Sequence, residues 1–177
     1  MRIAVVGAGP VGLALALHAA RCLPRASITL FDARSPEANV SADPRTLALA
    51  LGSVQLLRRL GAWPAEAAEP ILEVHVSQAP SSLGGSGLPE AELRLRAEDS
   101  GLPALGAVLA YGTLVSALQR RWELAVAAAP ARLASRFGAP VREVRPVPSG
   151  VEVEAAVVET FDLAVIAEGG VFAEQAR

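Results

Sequence analysis

Hydrophobic side chains change their spacing twice near the start of the chain, and each change marks a new element. Residues 2–6 (RIAVV) form a short, β-branched apolar run of the kind that a buried parallel strand requires. Leu13 and Leu17 then recur at helical spacing, and residues 27–31 (SITLF) form a second apolar run, which Asp32 closes. The pattern predicts a β-α-β unit whose two strands belong to one parallel sheet.

Further apolar or alternating runs predict strands along the rest of the chain, at residues 71–76, 93–97, 106–110, 141–147, 151–157 and 161–170. Pro148-Ser-Gly150 separates two of these runs and predicts a hairpin. Helical spacing from Thr113 to about Ala128 predicts a helix with Trp122 on its inner face. Residues 79–89, which are rich in Pro, Ser and Gly, predict a loop.

Residues 43–63, taken alone, predict a turn followed by a short surface helix. Pro44 opens the turn, Ser53 is a suitable N-cap, and Gly61 is suited to end the helix. The inner face is predicted to comprise Leu56, Leu57 and Leu60. Nothing in this local pattern requires a functional role.

The turn between the first strand and the first helix has the pattern Gly-x-Gly-x-x-Gly, comprising Gly7, Ala8, Gly9, Pro10, Val11 and Gly12. Gly7 permits a tight turn, and Gly9 lets a diphosphate approach the backbone because it has no Cβ. Gly12 lets the helix pack closely on the strand. Free N–H groups and the positive end of the helix dipole would then face the diphosphate. The spacing therefore predicts a dinucleotide site.

Asp32 lies twenty residues beyond Gly12, where a carboxylate can accept hydrogen bonds from ribose hydroxyls. Its charge would disfavour a 2′-phosphate, although Arg34 nearby weakens that argument. We include Asp32, Ala33 and Arg34 in the predicted site. The fingerprint alone does not separate FAD from NAD.

Composition limits the remaining classes of function. The 177 residues are 52% hydrophobic and 19% charged, which suits a globular domain with its own core. A net charge of −2 argues against a nucleic-acid partner. All sixteen cations are arginines, which excludes a Walker-type phosphate loop and Schiff-base lysine chemistry. One cysteine and two histidines leave no basis for a disulfide or a metal site, and no catalytic set can be assembled.

The uncharged stretch of residues 3–20 has the length of a short membrane span, but it contains three glycines and Pro10. A strand that turns directly into a helix explains it better. We therefore predict a soluble, cytoplasmic protein.

The string Asp43-x-Arg45-x-x-Ala48-Leu49-x-x-x-Ser53, followed by Leu-x-x-Leu-Gly and a tryptophan, resembles a known family. It is similar to the aromatic-ring hydroxylases of ubiquinone biosynthesis, which are group A flavin monooxygenases related to p-hydroxybenzoate hydroxylase. The resemblance implies that Arg45 lies along the FAD, near its phosphates and ribityl chain. It makes FAD the preferred dinucleotide.

The same resemblance suggests a second contact near the end of the chain. The family has an aspartate followed by glycine that contacts FAD and supports reduction by NAD(P)H, and Glu168-Gly169 stands in that place. The serine that usually follows is absent from residues 171–177. In the family, a polar or basic residue near the start of a helix usually contacts the flavin. The corresponding residues of this chain are Tyr111-Gly112-Thr113.

The predicted fold is α/β: a Rossmann-like, FAD/NAD(P)-binding parallel sheet with a β-rich, incomplete substrate domain. The chain is divided into a dinucleotide-binding unit (1–35), an FAD-contact segment (43–63), a partial substrate-side sheet (about 70–110) and a return to the FAD sheet (about 111–177). Family members continue well beyond Glu168-Gly169. We therefore expect an N-terminal FAD-binding portion that binds FAD weakly and does not turn over by itself.

The resemblance implies an FAD-dependent monooxygenase that uses NAD(P)H and O₂ to hydroxylate an aromatic small molecule, plausibly a polyprenylated phenol. A lipid-tailed substrate implies contact with the inner face of a membrane, and an exposed apolar face would favour self-association. Three alternatives stay open: an NAD-dependent dehydrogenase, another flavin oxidoreductase such as an amine oxidase, and a non-catalytic nucleotide-binding module.

Overall fold

The computed structural model describes residues 1–77 and 92–169, which form three α-helices and twelve β-strands. The helices are α1 (Pro10–Cys22), α2 (Leu51–Leu60) and α3 (Tyr111–Ala128). The strands are β1 (Arg2–Val6), β2 (Ser27–Asp32), β3 (Thr46–Ala50), β4 (Glu69–Ile71), β5 (Glu73–Ser77), β6 (Glu92–Arg96), β7 (Gly106–Ala110), β8 (Leu133–Phe137), β9 (Glu143–Val147), β10 (Gly150–Glu154), β11 (Val158–Phe161) and β12 (Leu163–Ile166). The predicted loop 79–89 and residues 170–177 lie outside the described part of the chain.

A four-stranded parallel sheet forms the centre of the molecule, with strand order β12-β1-β2-β8. The predicted β-α-β unit is confirmed, since β1, α1 and β2 occupy the expected residues. The predicted strand 161–170 is corrected, because Phe161 ends the antiparallel strand β11 and the parallel strand begins only at Leu163. Strand β8 was not predicted, and it extends the sheet beyond β2.

The two faces of this sheet carry different layers. Side chains alternate along β1, so that Ile3 and Val5 face α1 and α3, while Ala4 and Val6 face the other way. The predicted hairpin forms β9 and β10, which with β11 make a three-stranded antiparallel sheet against that second face. Phe161 of β11 is buried there and meets Phe31 edge to face, with ring centroids 5.9 Å apart. The α/β fold class is thus confirmed as a mixed arrangement of parallel and antiparallel sheets.

The segment 43–63 contains a strand that the local pattern did not reveal. Residues of β3 pair antiparallel with β7, and β4 pairs with the other edge of β7. Because this pairing keeps the chain extended to Ala50, α2 begins at Leu51 and Ala50 is its N-cap. The predicted N-cap Ser53 is therefore wrong. Gly61 ends the helix at φ 69°, as predicted, and the inner face consists of Val54, Leu57 and Leu60, with Leu56 only half-buried.

The predicted strand 71–76 is interrupted at Leu72. Residues before it pair with β7, and residues after it pair with β6 in a separate two-stranded sheet. One face of that sheet exposes aliphatic side chains, namely Leu72, Val74, Val76, Leu93 and Leu95. No helix within residues 1–77 and 92–169 combines the length and the apolar character needed to cross a membrane.

Candidate dinucleotide-binding site

The glycine-rich turn adopts the geometry that its sequence predicts. Gly7 has φ +104°, a region that side chains other than glycine rarely adopt, and its N–H donates to the carbonyl oxygen of Phe31 at 2.8 Å. Helix α1 begins at Pro10, and no side chain caps its N-terminus. A Cβ at Gly12 would lie 1.9 Å from the carbonyl oxygen of Gly7. The first turn of the helix therefore packs directly on the end of β1.

Gly9 is the glycine of this turn at which an added side chain would not clash with the protein. Its φ of −74° is ordinary, and a Cβ added there would first meet the Tyr111 hydroxyl oxygen, at 3.5 Å. The absence of a side chain is therefore not required by the packing of the protein. It leaves room for a ligand beside the first turn of α1, whose backbone N–H groups have no intrahelical acceptors.

A cavity of about 1090 Å³ opens at this point. Its volume lies slightly above the usual range of about 300–1,000 Å³ for small-molecule sites, which suits an extended ligand such as a dinucleotide. Ten of the predicted site residues line it: Gly7, Gly9, Pro10, Val11, Asp32, Ala33, Arg34, Arg45, Glu168 and Gly169. Ala8 and Gly12 do not, because Ala8 is buried behind the turn and Gly12 lies beneath the carbonyl of Gly7.

Asp32 stands at the carboxyl end of β2 with only 11% of its side chain exposed. Burial by itself would raise the pKa of this carboxyl, but hydrogen bonds from Arg34 and from the N–H of Ala8 outweigh it and hold the pKa below its ordinary value. The Ala8 N–H donates to Oδ2 at 2.5 Å, and the Arg34 Nε–H donates to Oδ1 at 2.9 Å. Asp32 is thus a fixed, ionised acceptor at the wall of the cavity.

Arg45 lines the cavity from the segment just before β3 and is held by two neighbours. Its guanidinium donates to both oxygens of Asp43, with Nη2 to Oδ2 at 2.7 Å, and its Cζ stands 4.1 Å from the centroid of the Tyr111 ring. The Tyr111 N–H donates to the Arg45 carbonyl oxygen at 2.6 Å. The start of α3 and the segment before β3 therefore form one wall of the cavity.

Glu168 and Gly169 follow β12 and reach the same cavity. The N–H of Ala167 donates to the carbonyl oxygen of Val6 at 2.7 Å, which brings the segment beside the glycine-rich turn. Burial, and secondarily the charge of Asp32, raise the pKa of Glu168 above its ordinary value. The structure thus places this acid near the first strand, and its contact with a flavin stays a prediction.

The sequence did not identify several residues that line the cavity, including Asn39, Asp43, Tyr111 and Pro140. Asp43 belongs to the motif that carried the family resemblance, and its place two residues before Arg45 could have suggested the ion pair. Tyr111 is the first residue of α3, which begins two residues before the predicted start at Thr113, and the resembling family has a polar contact near this point. Asn39 and Pro140 carry no signal of this kind.

No model of a known protein family matches the sequence. Solved structures with the same fold include p-nitrophenol 4-monooxygenase PnpA from Pseudomonas putida DLL-E4, with 17% identity over 95% of this chain and 40% of that chain, at a TM-score of 0.64. The flavin-dependent monooxygenase PieE, solved with FAD and substrate, has 20% identity over 99% of this chain and 32% of that chain, at 0.62. The Diels-Alderase PyrE3 of pyrroindomycin biosynthesis has 19% identity over 99% of this chain and 34% of that chain, at 0.63.

These likenesses define a class of fold. The chain shares its fold with part of two monooxygenases, of which PieE is flavin-dependent, and of a Diels-Alderase, and it spans between 32% and 40% of the length of these three chains. At identities of 17% to 20%, the likeness establishes the architecture and leaves the reaction to be argued from the site.

Proposed function

We propose that this chain is the FAD-binding part of a flavin-dependent monooxygenase that acts on an aromatic small molecule. The observation that carries the proposal is the meeting of four separate chain segments in one cavity. The glycine-rich turn, the acid that ends β2, Arg45 and the segment after β12 all line it. The flavin-dependent monooxygenases among the solved structures of this fold support the choice of class.

The residues present fit an FAD molecule. A diphosphate would lie against Gly9 and the first turn of α1, where backbone N–H groups and the helix dipole favour an anion. Asp32 would accept hydrogen bonds from the adenosine ribose. Arg45, held by its ion pair with Asp43 and placed over the Tyr111 ring, would supply a positive charge further along the ligand. Each of these assignments is part of the proposal.

When bound, FAD would take electrons from NAD(P)H and, with O₂, supply the oxygen atom that enters the aromatic ring. The chain's own residues would bind and orient the flavin, which explains why no acid–base set is required of them. The family resemblance supports a polyprenylated phenol as substrate. It also supports our expectation that the 177-residue chain alone does not oxidise NAD(P)H.

The remaining expectations about partners also stay proposals. The exposed aliphatic face of β5 and β6 supports contact with another apolar surface, whether a membrane or a second copy of the chain. A cytoplasmic location is consistent with the single, unpaired cysteine, Cys22.

The main alternative is that the site binds a dinucleotide without serving oxygen transfer. PyrE3 has the same fold but is a Diels-Alderase and not a monooxygenase by name, so the fold is compatible with other chemistry. We retain this alternative in two forms. The chain could belong to a different FAD- or NAD-dependent oxidoreductase, or it could be a non-catalytic nucleotide-binding module.

A titration of the 177-residue chain with FAD, followed by flavin fluorescence, tests the proposal. The Gly9→Ala variant should fold normally, because its Cβ has ordinary clearance, yet weaken FAD binding at least about tenfold by blocking the diphosphate. Gly52→Ala is the matched control, since nothing lies within 4 Å of its Cβ and FAD binding should not change. A wild-type chain that binds NAD but not FAD, or equal FAD affinity in both variants, would contradict the proposal.

A further inference from the structure

Arginine is concentrated on the three helices and the turns that follow them. Residues 10–25, 51–62 and 111–132, which contain α1, α2 and α3, carry seven arginines and one acid, Glu123. Their formal charge is therefore +6, whereas the whole chain has a net charge of −2, so the other residues carry −8. The small net charge of the protein thus conceals a strong separation of positive and negative residues.

Hydrogen bonds bring these arginines together around the C-terminal end of α2. The Arg21 guanidinium, in the last turn of α1, donates to the carbonyl oxygen of Arg59. From the middle of α3, the Arg121 Nε–H donates to the carbonyl oxygen of Leu60 at 3.2 Å. The three helices therefore meet at this point. We call the exposed arginines of this region the arginine surface, which comprises Arg21, Arg25, Arg58, Arg59, Arg120 and Arg121.

The arginine surface has no acidic partners in the part of the chain that the structure describes. The arginines that do form ion pairs with acids all lie outside the helices, namely Arg2, Arg34, Arg45, Arg94, Arg96, Arg136 and Arg145. Within residues 1–77 and 92–169, four members of the arginine surface make no side-chain hydrogen bond either: Arg25, Arg58, Arg59 and Arg120. A helix C-terminus favours a nearby cation, but two helix ends do not account for six. Their guanidinium groups are therefore available to an external anion.

Two exposed leucines stand among these arginines. Leu23 lies between Arg21 and Arg25 and is 39% exposed, while Leu124 lies one helical turn after Arg120 and is 62% exposed. A nucleic acid would engage the guanidinium groups and leave both leucines in water. An anionic membrane uses both kinds of side chain, because arginines bind lipid phosphates and leucines enter the boundary between headgroups and acyl chains. The combination favours a lipid surface.

We propose that the arginine surface docks the protein on a membrane that contains anionic lipids. It lies at the end of α1 opposite to the dinucleotide cavity, about 20 Å away for a helix of 13 residues. The inference does not depend on what the cavity binds, so it stands apart from the proposed function. It also differs from contact through the aliphatic face of β5 and β6, because attraction to arginines weakens as salt is added and burial of aliphatic side chains does not.

Co-sedimentation of the 177-residue chain with lipid vesicles tests this docking. We expect binding to phosphatidylcholine vesicles that contain about one-third phosphatidylglycerol, and not to phosphatidylcholine alone, since each arginine near an anionic surface strengthens binding about fivefold. Binding should be lost as ionic strength rises. The double variant Arg58→Gln/Arg59→Gln should weaken binding at least about tenfold. A second double variant, Arg25→Gln/Arg120→Gln, should give a loss of similar size.

The matched control is Arg94→Gln/Arg96→Gln, which removes the same charge from β6, where both arginines pair with Glu73. It should bind within about threefold of wild type. Thermal melting checks that each variant is folded.

Four results would overturn the proposal: no binding to anionic vesicles at low salt, equal binding to neutral vesicles, binding that persists at high salt, or an equal loss in the control. Binding to polyglutamate in the absence of vesicle binding would likewise overturn it, in favour of an acidic peptide partner. The FAD titration is unaffected by any of these results, so the two proposals fail separately.

Discussion

The contact between α1 and the end of β1 provides a strict test of the glycine-rich turn. Gly12 is the third residue of α1, and a Cβ there would lie 1.9 Å from the carbonyl oxygen of Gly7 and 3.3 Å from the Cβ of Ala167. The carbonyl belongs to a residue whose N–H is bonded to Phe31, so it cannot simply rotate away. We expect Gly12→Ala to destabilise the fold.

The size of the effect follows from the distance. Ordinary van der Waals contact begins at 3.4 Å, so the helix start and the turn must separate by 3.4 − 1.9 = 1.5 Å. Overpacking of this kind costs about 1–3 kcal/mol, and a rigid backbone neighbour favours the upper end. Alanine offsets about 0.5–1 kcal/mol of this, since glycine is the poorer helix former. The net loss should be about 2 kcal/mol in the free energy of unfolding.

Urea denaturation followed by circular dichroism measures this loss, and the melting temperature should fall by about 4–8 °C. Gly52→Ala, near the start of α2, is the matched control because its Cβ meets nothing within 4 Å. It should gain about 0.5–1 kcal/mol. The reasoning is refuted if Gly12→Ala is as stable as wild type, or if both variants are stabilised alike.

Two further predictions concern the core and the acid at β2. Trp122 is fully buried and its Nε1–H donates to Ser135 Oγ at 2.9 Å, so Trp122→Phe should lower the free energy of unfolding by about 2 kcal/mol. The folded pKa of Asp32 lies below 3.8, so its stabilising contribution is complete above that pH and is lost as the pH falls through the folded pKa. The free energy of unfolding measured against pH should therefore fall less steeply below pH 3.8 in Asp32→Asn than in wild type.

Each of these two predictions has its own opposing result. Ser135→Ala removes only the hydrogen-bond partner of Trp122 and should lower the free energy of unfolding by about 1 kcal/mol. If Ser135→Ala lowers it more than Trp122→Phe does, the packing of the indole ring is not the main source of the stability that Trp122 provides. For Asp32, parallel curves of stability against pH in the wild type and Asp32→Asn would mean that the Arg34 and Ala8 contacts do not stabilise the ionised form.

Local signals were sufficient for the elements that hold the glycine-rich turn. The apolar run of β1, the helical spacing of α1 and the acid that ends β2 lie within the first 32 residues, and the structure has them at the predicted places. Strand β7 and the β9–β10 hairpin were predicted for the same reason. Glycines, a helical period and an alternating run each constrain the backbone at the residues that carry them.

Strands β3 and β8 were missed because their own residues do not favour an extended chain. The sequence TLALA of β3 is rich in leucine and alanine, which are good helix formers. It becomes a strand because it pairs with β7, about sixty residues later in the chain. Likewise LASRF of β8 is extended because β2 offers it an unpaired edge. Tertiary pairing overrides local preference in both cases.

The candidate site also has features that local sequence predicts and features that depend on tertiary packing. The sequence by itself determined which residues form the glycine-rich turn and which acid ends β2, because turn geometry and the length of one β-α-β unit fix both. Only the tertiary structure decided that Arg45 stacks on Tyr111 and that the Ala8 N–H donates to Asp32. Both contacts join segments that are distant along the chain, so they depend on how those segments pack, and no local pattern encodes them.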